Sequence, residues 1–217
     1  MIGGLGKPVA TLLFDFDGTL ADSLTTLVAI TNRLAPQFGY RPTDAAALET
    51  LRGMSARQII RQSQISVFKI PTLLRRVRVE LRQECANIPP FPGIPETLRA
   101  LRAQHHTLGI VTSNAPVNVQ GFLAAQGLTT VFFTVVGGGT LFGKGRLIRR
   151  VVQEHGLDPQ RTIYVGDETR DIEAARFAGL AVAAVTWGFN DRDRLLAAQP
   201  NWLVETPEAL RAIADAL

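Results

Sequence analysis

Three acidic residues stand directly after short apolar runs of this 217-residue chain, where a buried strand would end. Asp15 and Asp17 lie in LLFDFDGTLADS (residues 12–23), and Asp167 follows TIYVG. Residues two apart in an extended chain face the same side, so Asp15 and Asp17 both point toward one site. Burying such charges is costly unless they are paired or bind a metal. The pair therefore predicts either a cation site that does chemistry or an acidic turn that caps the next helix.

A divalent cation would offset the repulsion among three converging carboxylates. In an open parallel sheet, ligands bind beyond the carboxyl ends of the strands, which is where Asp15, Asp17 and Asp167 fall. Mg²⁺ prefers oxygen ligands and keeps water molecules that a phosphorylated substrate can replace. We therefore expect a Mg²⁺ site here. Asp171 lies one helical turn beyond Asp167 and could take part in it.

Polar residues also stand at two other places on the same predicted edge. Thr112, Ser113 and Asn114 come at the end of the second apolar run, and Lys144 opens the helix before TIYVG. Helices that start near these ends direct their positive poles toward the crevice, which favours a bound anion. Structural alternatives remain open, because asparagine followed two residues later by proline is typical of a helix cap. An isolated lysine at a helix start can simply be solvated.

The elements that would position these residues alternate along most of the chain. Five uniformly apolar runs are typical of strands covered on both faces of a sheet. They are residues 9–14, 107–112, 131–136, 162–166 and 180–185. Helical patterns separate the later runs, and PEALRAIADAL would form a closing helix. This alternation predicts an α/β fold whose core is a Rossmann-like open parallel sheet with helices on both faces.

The alternation is interrupted once, after the first strand. Residues 21–88 have helical periodicity and no convincing strand, and the proline-rich IPPFPGIPE follows them. We therefore predict an α/β core made of residues 1–20 and 89–217 and an inserted helical cap made of residues 21–88. The two connections would lie side by side and could act as a hinge.

Composition excludes several other classes of protein. A hydrophobic content of 46% with 19% charged residues is typical of a globular chain. One cysteine allows no internal disulfide, and the N-terminal residues lack a signal-peptide pattern, so we expect a cytoplasmic protein without a membrane span. The net charge of +4 comes from scattered arginines without a basic block, which predicts a small anionic metabolite as the partner instead of nucleic acid. We expect a monomer or a homodimer.

Four motifs occur in order along the chain: DFDGTL, VTSN, the lysine at 144 and GDETRD. Together they resemble the motifs of the haloacid dehalogenase (HAD) superfamily. The segment LFGKGRLIRR…YVGDETRDIEAARFAG is similar to the phosphoglycolate-phosphatase-like branch of that superfamily, and the resemblance extends over nearly the whole chain. It departs at Gly145, where the family commonly has proline, so a looser start of that helix is expected.

The resemblance implies a phosphatase, that is, a phosphoric monoester hydrolase of the HAD type. Asp15 would be the nucleophile that becomes an aspartyl phosphate. Asp17 would protonate the departing alcohol and then take a proton from the hydrolytic water. The side chains of Asp15 and Asp167 and the carbonyl of Asp17 would bind Mg²⁺. Asp171 would bind the metal directly or order a metal-bound water.

The resemblance also assigns substrate-binding residues. Thr112 and Lys144 would hold the phosphoryl oxygens, with Ser113 and Asn114 beside them. In the family a loop of the cap reads the leaving group, and LRGMS (residues 51–55) resembles that loop. Its Arg52 and Gly53 would contact a substrate carboxylate or second anion, although Arg52 could also be a surface residue on a helix turn. The implied substrate is a small phosphomonoester such as phosphoglycolate.

Two other functions stay open. A sugar phosphomutase of the same superfamily uses the same aspartate pair but retains the phosphoryl group. A phospho-accepting signalling domain, which binds partners without turnover, also combines an acidic Mg²⁺ cluster with a hydroxyl and a lysine. In such domains the acidic pair and the accepting aspartate fall on different strands and no cap is inserted, so the DxD arrangement favours an enzyme.

Overall fold

The structure is a computed structural model that describes residues 9–44, 47, 50, 51, 54, 56–138 and 143–217. Its strands are β1 (Thr11–Phe14), β2 (Thr107–Val111), β3 (Thr134–Val136), β4 (Thr162–Gly166), β5 (Ala181–Val185) and β6 (Trp202–Val204). Its α-helices are α1 (Leu24–Phe38), α2 (Ala56–Gln62), α3 (Ile70–Glu84), α4 (Ile94–Ala103), α5 (Pro116–Ala125), α6 (Lys144–Glu154), α7 (Thr169–Ala178), α8 (Arg192–Ala197) and α9 (Ala209–Asp215). None of the helices in these ranges has the length and apolar character needed to span a membrane.

The six strands form one sheet in the order β3-β2-β1-β4-β5-β6, and every neighbouring pair is parallel. Leu13 of β1 pairs with Gly109 of β2 on one side and with Tyr164 of β4 on the other. Parallel neighbours need crossover connections, which the helices supply. The predicted α/β fold with an open, Rossmann-like parallel sheet is confirmed.

Each face of the sheet has its own apolar core. Leu12 and Phe14 belong to a cluster that includes Phe122 of α5. Leu13 belongs to a second cluster that includes Ile148 of α6. Successive residues of a strand point to opposite faces, so β1 contributes to both cores and is apolar throughout. The strand ends, where polar residues begin, are therefore the places at which chemistry can occur.

Two elements near the C-terminal end were not predicted from the sequence: α8 and β6. Both are short, and Trp202 and Leu203 of β6 are only half-buried, so neither segment has enough residues for a periodic apolar pattern. The predicted strand at residues 131–136 is also shorter than expected. Val131 and Phe132 are buried but lie outside the strand, which begins at Thr134.

The described part of residues 21–88 contains α1, α2 and α3. The two connections that join it to the rest of the chain are hydrogen-bonded to each other. The N–H of Asp22 donates to the Pro89 carbonyl at 3.0 Å, and the N–H of Phe91 donates to the Leu20 carbonyl at 3.1 Å. The chain thus enters and leaves this region at one place. Its role as a separate, mobile cap stays a prediction.

Candidate active site

Three buried carboxylates meet where the strand order reverses, between β1 and β4. Asp15 follows β1, Asp167 follows β4, and Asp171 lies in the first turn of α7. One oxygen from each lies within 4.8 Å of the others. Such a switch point is where ligands bind in open α/β sheets. The structure thus brings together residues that are about 150 positions apart in the chain.

The backbone of β1 fixes the position of Asp15. Its N–H continues the sheet by donating to the Val165 carbonyl at 2.8 Å, and the N–H of Phe16 donates to its Oδ1 at 2.8 Å. Nζ of Lys144 donates to Oδ2. Burial alone would raise the pKa of Asp15, but the charges of Lys144 and Arg170 and these hydrogen bonds hold that pKa below its usual value. Asp15 is therefore ionised and suited to act as a nucleophile.

Lys144 bridges two carboxylates across the site. Besides Asp15, its Nζ contacts Oδ1 of Asp171 at 2.6 Å. Burial opposes the charge, yet Asp15 and Asp171 raise the pKa of Lys144, so the side chain remains an ammonium. A Cβ at Gly145 would lie 3.1 Å from the carbonyl oxygen of Ala174 and 2.9 Å from Cδ1 of Phe177, both on α7. The residue that departs from the family pattern therefore allows α6 to approach α7 closely.

Asp167 is held by two donors, one from the DFDGTL motif and one from the loop after β5. The hydroxyl of Thr19 donates to its Oδ1 at 2.8 Å, and the N–H of Phe189 donates to its Oδ2 at 2.8 Å. Burial, together with repulsion from Glu168, Asp171 and Asp15, raises the pKa of Asp167 well above its usual value. A carboxylate in this state needs a proton or a cation beside it.

Asp171 has a structural as well as an electrostatic function. Its Oδ2 accepts from the N–H of Glu168 at 3.0 Å, which forms a capping box at the start of α7. Burial and repulsion from Asp15 raise the pKa of Asp171 to about 6, although Lys144 lowers it. The three clustered carboxylates thus offer only oxygen donors, with more negative charge than the neighbouring cations easily balance. This donor set fits a hard divalent cation such as Mg²⁺.

Asp17 lies outside this cluster and contacts a different strand end. Its Oδ2 accepts from Nδ2 of Asn114 at 2.8 Å. Burial and the charge of Asp15 raise the pKa of Asp17 to about 6, against the opposing effects of Ser23 and Asn114. A carboxyl with this pKa can both give and take a proton near neutral pH. Within the described part of the chain no side chain caps the start of α1 after Ser23, so neither Asp15 nor Asp17 caps that helix.

The VTSN motif lies beside Asp17. The buried hydroxyl of Thr112 accepts from the N–H of Asn114 at 3.1 Å, and Ser113 between them is half-buried. The N-cap position of α5 is Ala115, with no side-chain capping bond. Asn114 therefore makes both kinds of contact: its Nδ2 donates to Asp17, and its Oδ1 accepts from the N–H of Ala115 at the start of α5 at 2.7 Å.

The predicted cap-loop residues, Arg52 and Gly53, lie outside the described residues. Met54 of the same LRGMS loop is described, and its carbonyl accepts from Nδ2 of Asn190 at 3.2 Å. Oδ1 of Asn190 accepts from the N–H of Thr169 in the GDETRD motif at 3.0 Å. This part of the loop is therefore tied to the acidic motif.

Arg170 is a candidate that sequence reasoning missed. Its Nε and Nη2 contact Oε1 of Glu168 at 2.8 and 2.5 Å. Although burial opposes its charge, Glu168, Asp171 and Asp15 raise its pKa, and it lowers the pKa values of Asp15 and Asp17 in return. Its place within GDETRD was a signal, but one arginine among many scattered ones gave no reason to single it out.

Comparison with known proteins identifies the family. The sequence profile described as haloacid dehalogenase-like hydrolase matches residues 12–185. The chain belongs to this family. The family predicted from the four motifs, and with it the class of enzyme, a phosphatase, is confirmed.

Individual relatives agree with this assignment. A phosphoglycolate phosphatase of Synechococcus elongatus is 46% identical over 199 residues, which covers 92% of this chain and 94% of the relative. A phosphoglycolate phosphatase of Agrobacterium fabrum is 34% identical over 196 residues, with 85% and 84% covered. The crystal structure of a predicted phosphatase from Clostridium acetobutylicum superposes with a TM-score of 0.83 at 22% identity and covers 97% of this chain and all of its own. This last similarity concerns the fold.

Proposed function

We propose that this HAD hydrolase is a Mg²⁺-dependent phosphatase that hydrolyses a small phosphomonoester through an aspartyl phosphate on Asp15. The observation that carries the proposal is that the pKa values of two neighbouring aspartates, Asp15 and Asp17, are shifted in opposite directions. Lys144 keeps Asp15 ionised, whereas burial and the charge of Asp15 raise the pKa of Asp17 to about 6. A carboxylate that stays ionised suits a nucleophile, and a carboxyl group that binds a proton near neutral pH suits its acid–base partner.

In the first half of the reaction, an oxygen of Asp15 forms a bond to phosphorus as the bond to the substrate alcohol breaks. Asp17 gives its proton to the departing alkoxide, which leaves as a neutral alcohol. In the second half, a water molecule attacks phosphorus and gives a proton to Asp17, and the Asp15 carboxylate is released. Both residues return to their starting states, so the two reaction steps together balance in atoms and charge.

Residues around the pair would bind the transferred group. We assign the phosphoryl oxygens to the Thr112 hydroxyl and the Lys144 ammonium, with Ser113 and Asn114 beside them. The side chains of Asp15 and Asp167 and the carbonyl of Asp17 are the proposed Mg²⁺ ligands, with Asp171 as a ligand or as the partner of a metal-bound water. When bound, Mg²⁺ supplies positive charge that stabilises the transferring oxygens.

Phosphoglycolate is the first substrate to test. Two relatives that cover most of this chain carry the name phosphoglycolate phosphatase. The helical region 21–88 would act as a cap over the site, and the contact between Asn190 and the Met54 carbonyl supports a position of the LRGMS loop near it. Arg52 of that loop would bind the carboxylate of the substrate. A closed cap would exclude water and select small substrates.

The experiment is a phosphate-release assay with phosphoglycolate and with a sugar 1-phosphate, with and without Mg²⁺. Asp15→Asn is the blank, and we expect it to lose at least about 1000-fold in kcat. Phosphoglycolate should give inorganic phosphate only when Mg²⁺ is present. Conversion of the sugar phosphate into an isomer without phosphate release would instead identify a phosphomutase, and absence of turnover on all substrates would refute the proposal.

Binding of Mg²⁺ can be measured separately from turnover. After treatment with a chelator, Mg²⁺ at about 100 times its Kd should stabilise the wild-type fold by about 3 kcal/mol. The Asp167→Asn variant should gain much less, because it lacks one of the clustered carboxylates. Equal stabilisation of both proteins would place the metal elsewhere.

A further inference from the structure

A chain of three hydrogen bonds joins the helical region 21–88 to the side chain of Asp17. Asn118 of α5 donates through Nδ2 to the carbonyl of Arg78 in α3 at 3.0 Å. The same nitrogen donates to Oδ1 of Asn114 at 2.9 Å, and Nδ2 of Asn114 donates to Oδ2 of Asp17 at 2.8 Å. Asn118 is 1% exposed, so these bonds lie away from solvent.

Main-chain groups fix the direction of each amide in this chain. A backbone carbonyl can only accept, so the group of Asn118 that faces Arg78 must be its nitrogen. A backbone N–H can only donate, and that of Ala115 contacts Oδ1 of Asn114 at 2.7 Å. Both Ala115 and Asn118 therefore present donors to the same oxygen. The nitrogen of Asn114 is left to face Asp17.

Packing alone does not explain Asn118. Its Oδ1 is buried and has no hydrogen-bond partner among the described residues. A buried polar atom without a partner costs free energy that leucine at the same position would avoid. The amide is therefore useful for its two donated bonds, one to the active-site asparagine and one to α3.

We propose that Asn118 is a positioning residue that couples the contact between α3 and the core to the orientation of the Asn114 amide, and thereby to the placement of Asp17 for proton transfer. This inference rests on the proposed function of Asp17. If α3 moves away, Asn118 loses one of its two acceptors inside a buried site. Contact of α3 with the core and correct orientation of Asp17 then stabilise each other, which would make proton transfer most effective when the cap is in place.

The test compares two substrates that differ in their need for an acid. The alkoxide of glycolate is a poor leaving group that requires a proton, whereas para-nitrophenolate leaves readily without one. For Asn118→Leu we expect kcat/KM for phosphoglycolate to fall about 10-fold or more, with a change of about 3-fold or less for para-nitrophenyl phosphate. The quantity kcat/KM is used because it reports formation of the phosphoenzyme, in which the leaving group departs.

Controls separate this effect from loss of structure. Gln120→Ala replaces an exposed residue of the same helix and should leave both substrates unaffected. Asn118→Ala removes the same donor without adding bulk and repeats the comparison if the leucine variant fails to fold. Hydrogen exchange of the amides of α3, residues 70–84, should accelerate in the Asn118 variants and not in the Gln120 variant.

Each outcome has a distinct meaning. A wild-type protein that hydrolyses neither substrate would refute the proposed function. A wild-type protein that hydrolyses both, with Asn118 variants that are unaffected or that lose equally on both substrates, would refute the role of Asn118 alone. Unchanged exchange in α3 would refute the coupling to that helix.

Discussion

Nζ of Lys144 lies 2.6 Å from Oδ1 of Asp171 and also donates to Oδ2 of Asp15. One buried ammonium therefore connects the residue that follows β1 with the first turn of α7. The other oxygen of Asp171 accepts from the N–H of Glu168 at 3.0 Å, which prevents Asp171 from rotating away. Asp171 thus holds Lys144 against the proposed nucleophile.

Replacement of Lys144 by Met should lower kcat about 100-fold or more. The variant loses the charge that keeps Asp15 ionised, and it leaves Asp15 and Asp171 facing each other without a cation. We also expect loss of about 3 kcal/mol of stability, as for other broken buried ion pairs. Steady-state kinetics and urea unfolding measure the two effects. Lys69→Met, at an exposed lysine, is the control; kinetics of Lys144→Met that match this control would contradict the prediction.

Replacement of Asp17 by Asn should change how the stability of the metal-free protein depends on pH. Asp17 has a pKa of about 6 in the folded state against 3.8 unfolded, so the folded state binds the proton more tightly. Its contribution to stability is lost as pH rises from about 4 to about 6. Over this pH interval the free energy of unfolding of the variant should therefore rise by up to about 3 kcal/mol relative to that of the wild type, with no further change at higher pH. Urea unfolding in the presence of a chelator measures the difference, and a difference that is constant with pH would show that Asp17 has an ordinary pKa.

A methyl group at Gly188 should disturb the acidic cluster. A Cβ there would lie 2.3 Å from Cβ of Asp167 and 2.4 Å from the Gly18 carbonyl, neither of which can move freely. We expect Gly188→Ala to lower thermal stability and to weaken Mg²⁺ binding in a metal titration. Gly121→Ala is the matched control, because a Cβ at that helical position would have no described atom within 4 Å apart from its chain neighbours and the backbone of its own helix. The Gly121→Ala variant should gain up to about 1 kcal/mol in free energy of unfolding. The same change in stability and in Mg²⁺ binding for both variants would argue against steric contact between residue 188 and Asp167.

Replacement of Trp187 by Phe should weaken its contact with the segment that leads into region 21–88. The indole N–H donates to the Thr19 carbonyl at 3.1 Å, and the ring packs against Phe91 with centroids 6.5 Å apart. Phenylalanine preserves the ring contact but removes the donor, at a cost of about 1 kcal/mol. Chemical denaturation measures this loss. Wild-type stability of the variant would show that the hydrogen bond contributes nothing.

The strands and their terminal residues were predictable because their signals are local. Uniformly apolar runs such as residues 9–14 identify strands covered on both faces, and the alternation with helices identifies a parallel sheet. β6 was missed because three residues, of which only Val204 is fully buried, are too few to carry a periodic pattern. Its position is set by pairing with β5, for example Ala184 with Leu203, which is a property of the assembled sheet.

The residues of the candidate site also separate into those that the sequence could predict and those that it could not. Asp15, Asp17 and Asp167 could be selected from their positions at the ends of apolar runs. The N–H of Phe189, which holds Asp167 together with Thr19 of the DFDGTL motif, gave no local signal that it would meet that residue. Asn118 likewise reads as an ordinary polar residue of a helix until its contact with Arg78 is seen.

The sequence by itself determined which elements form, which polar residues stand at their ends, and which family the chain resembles, because propensity and periodicity act over a few residues. Only the tertiary structure decided which side chains become partners. Lys144 meets Asp15 from 129 residues away, and Thr19 meets Asp167 from 148 residues away. Such contacts, and the pKa shifts that they produce, arise from the packing of distant segments into one buried volume.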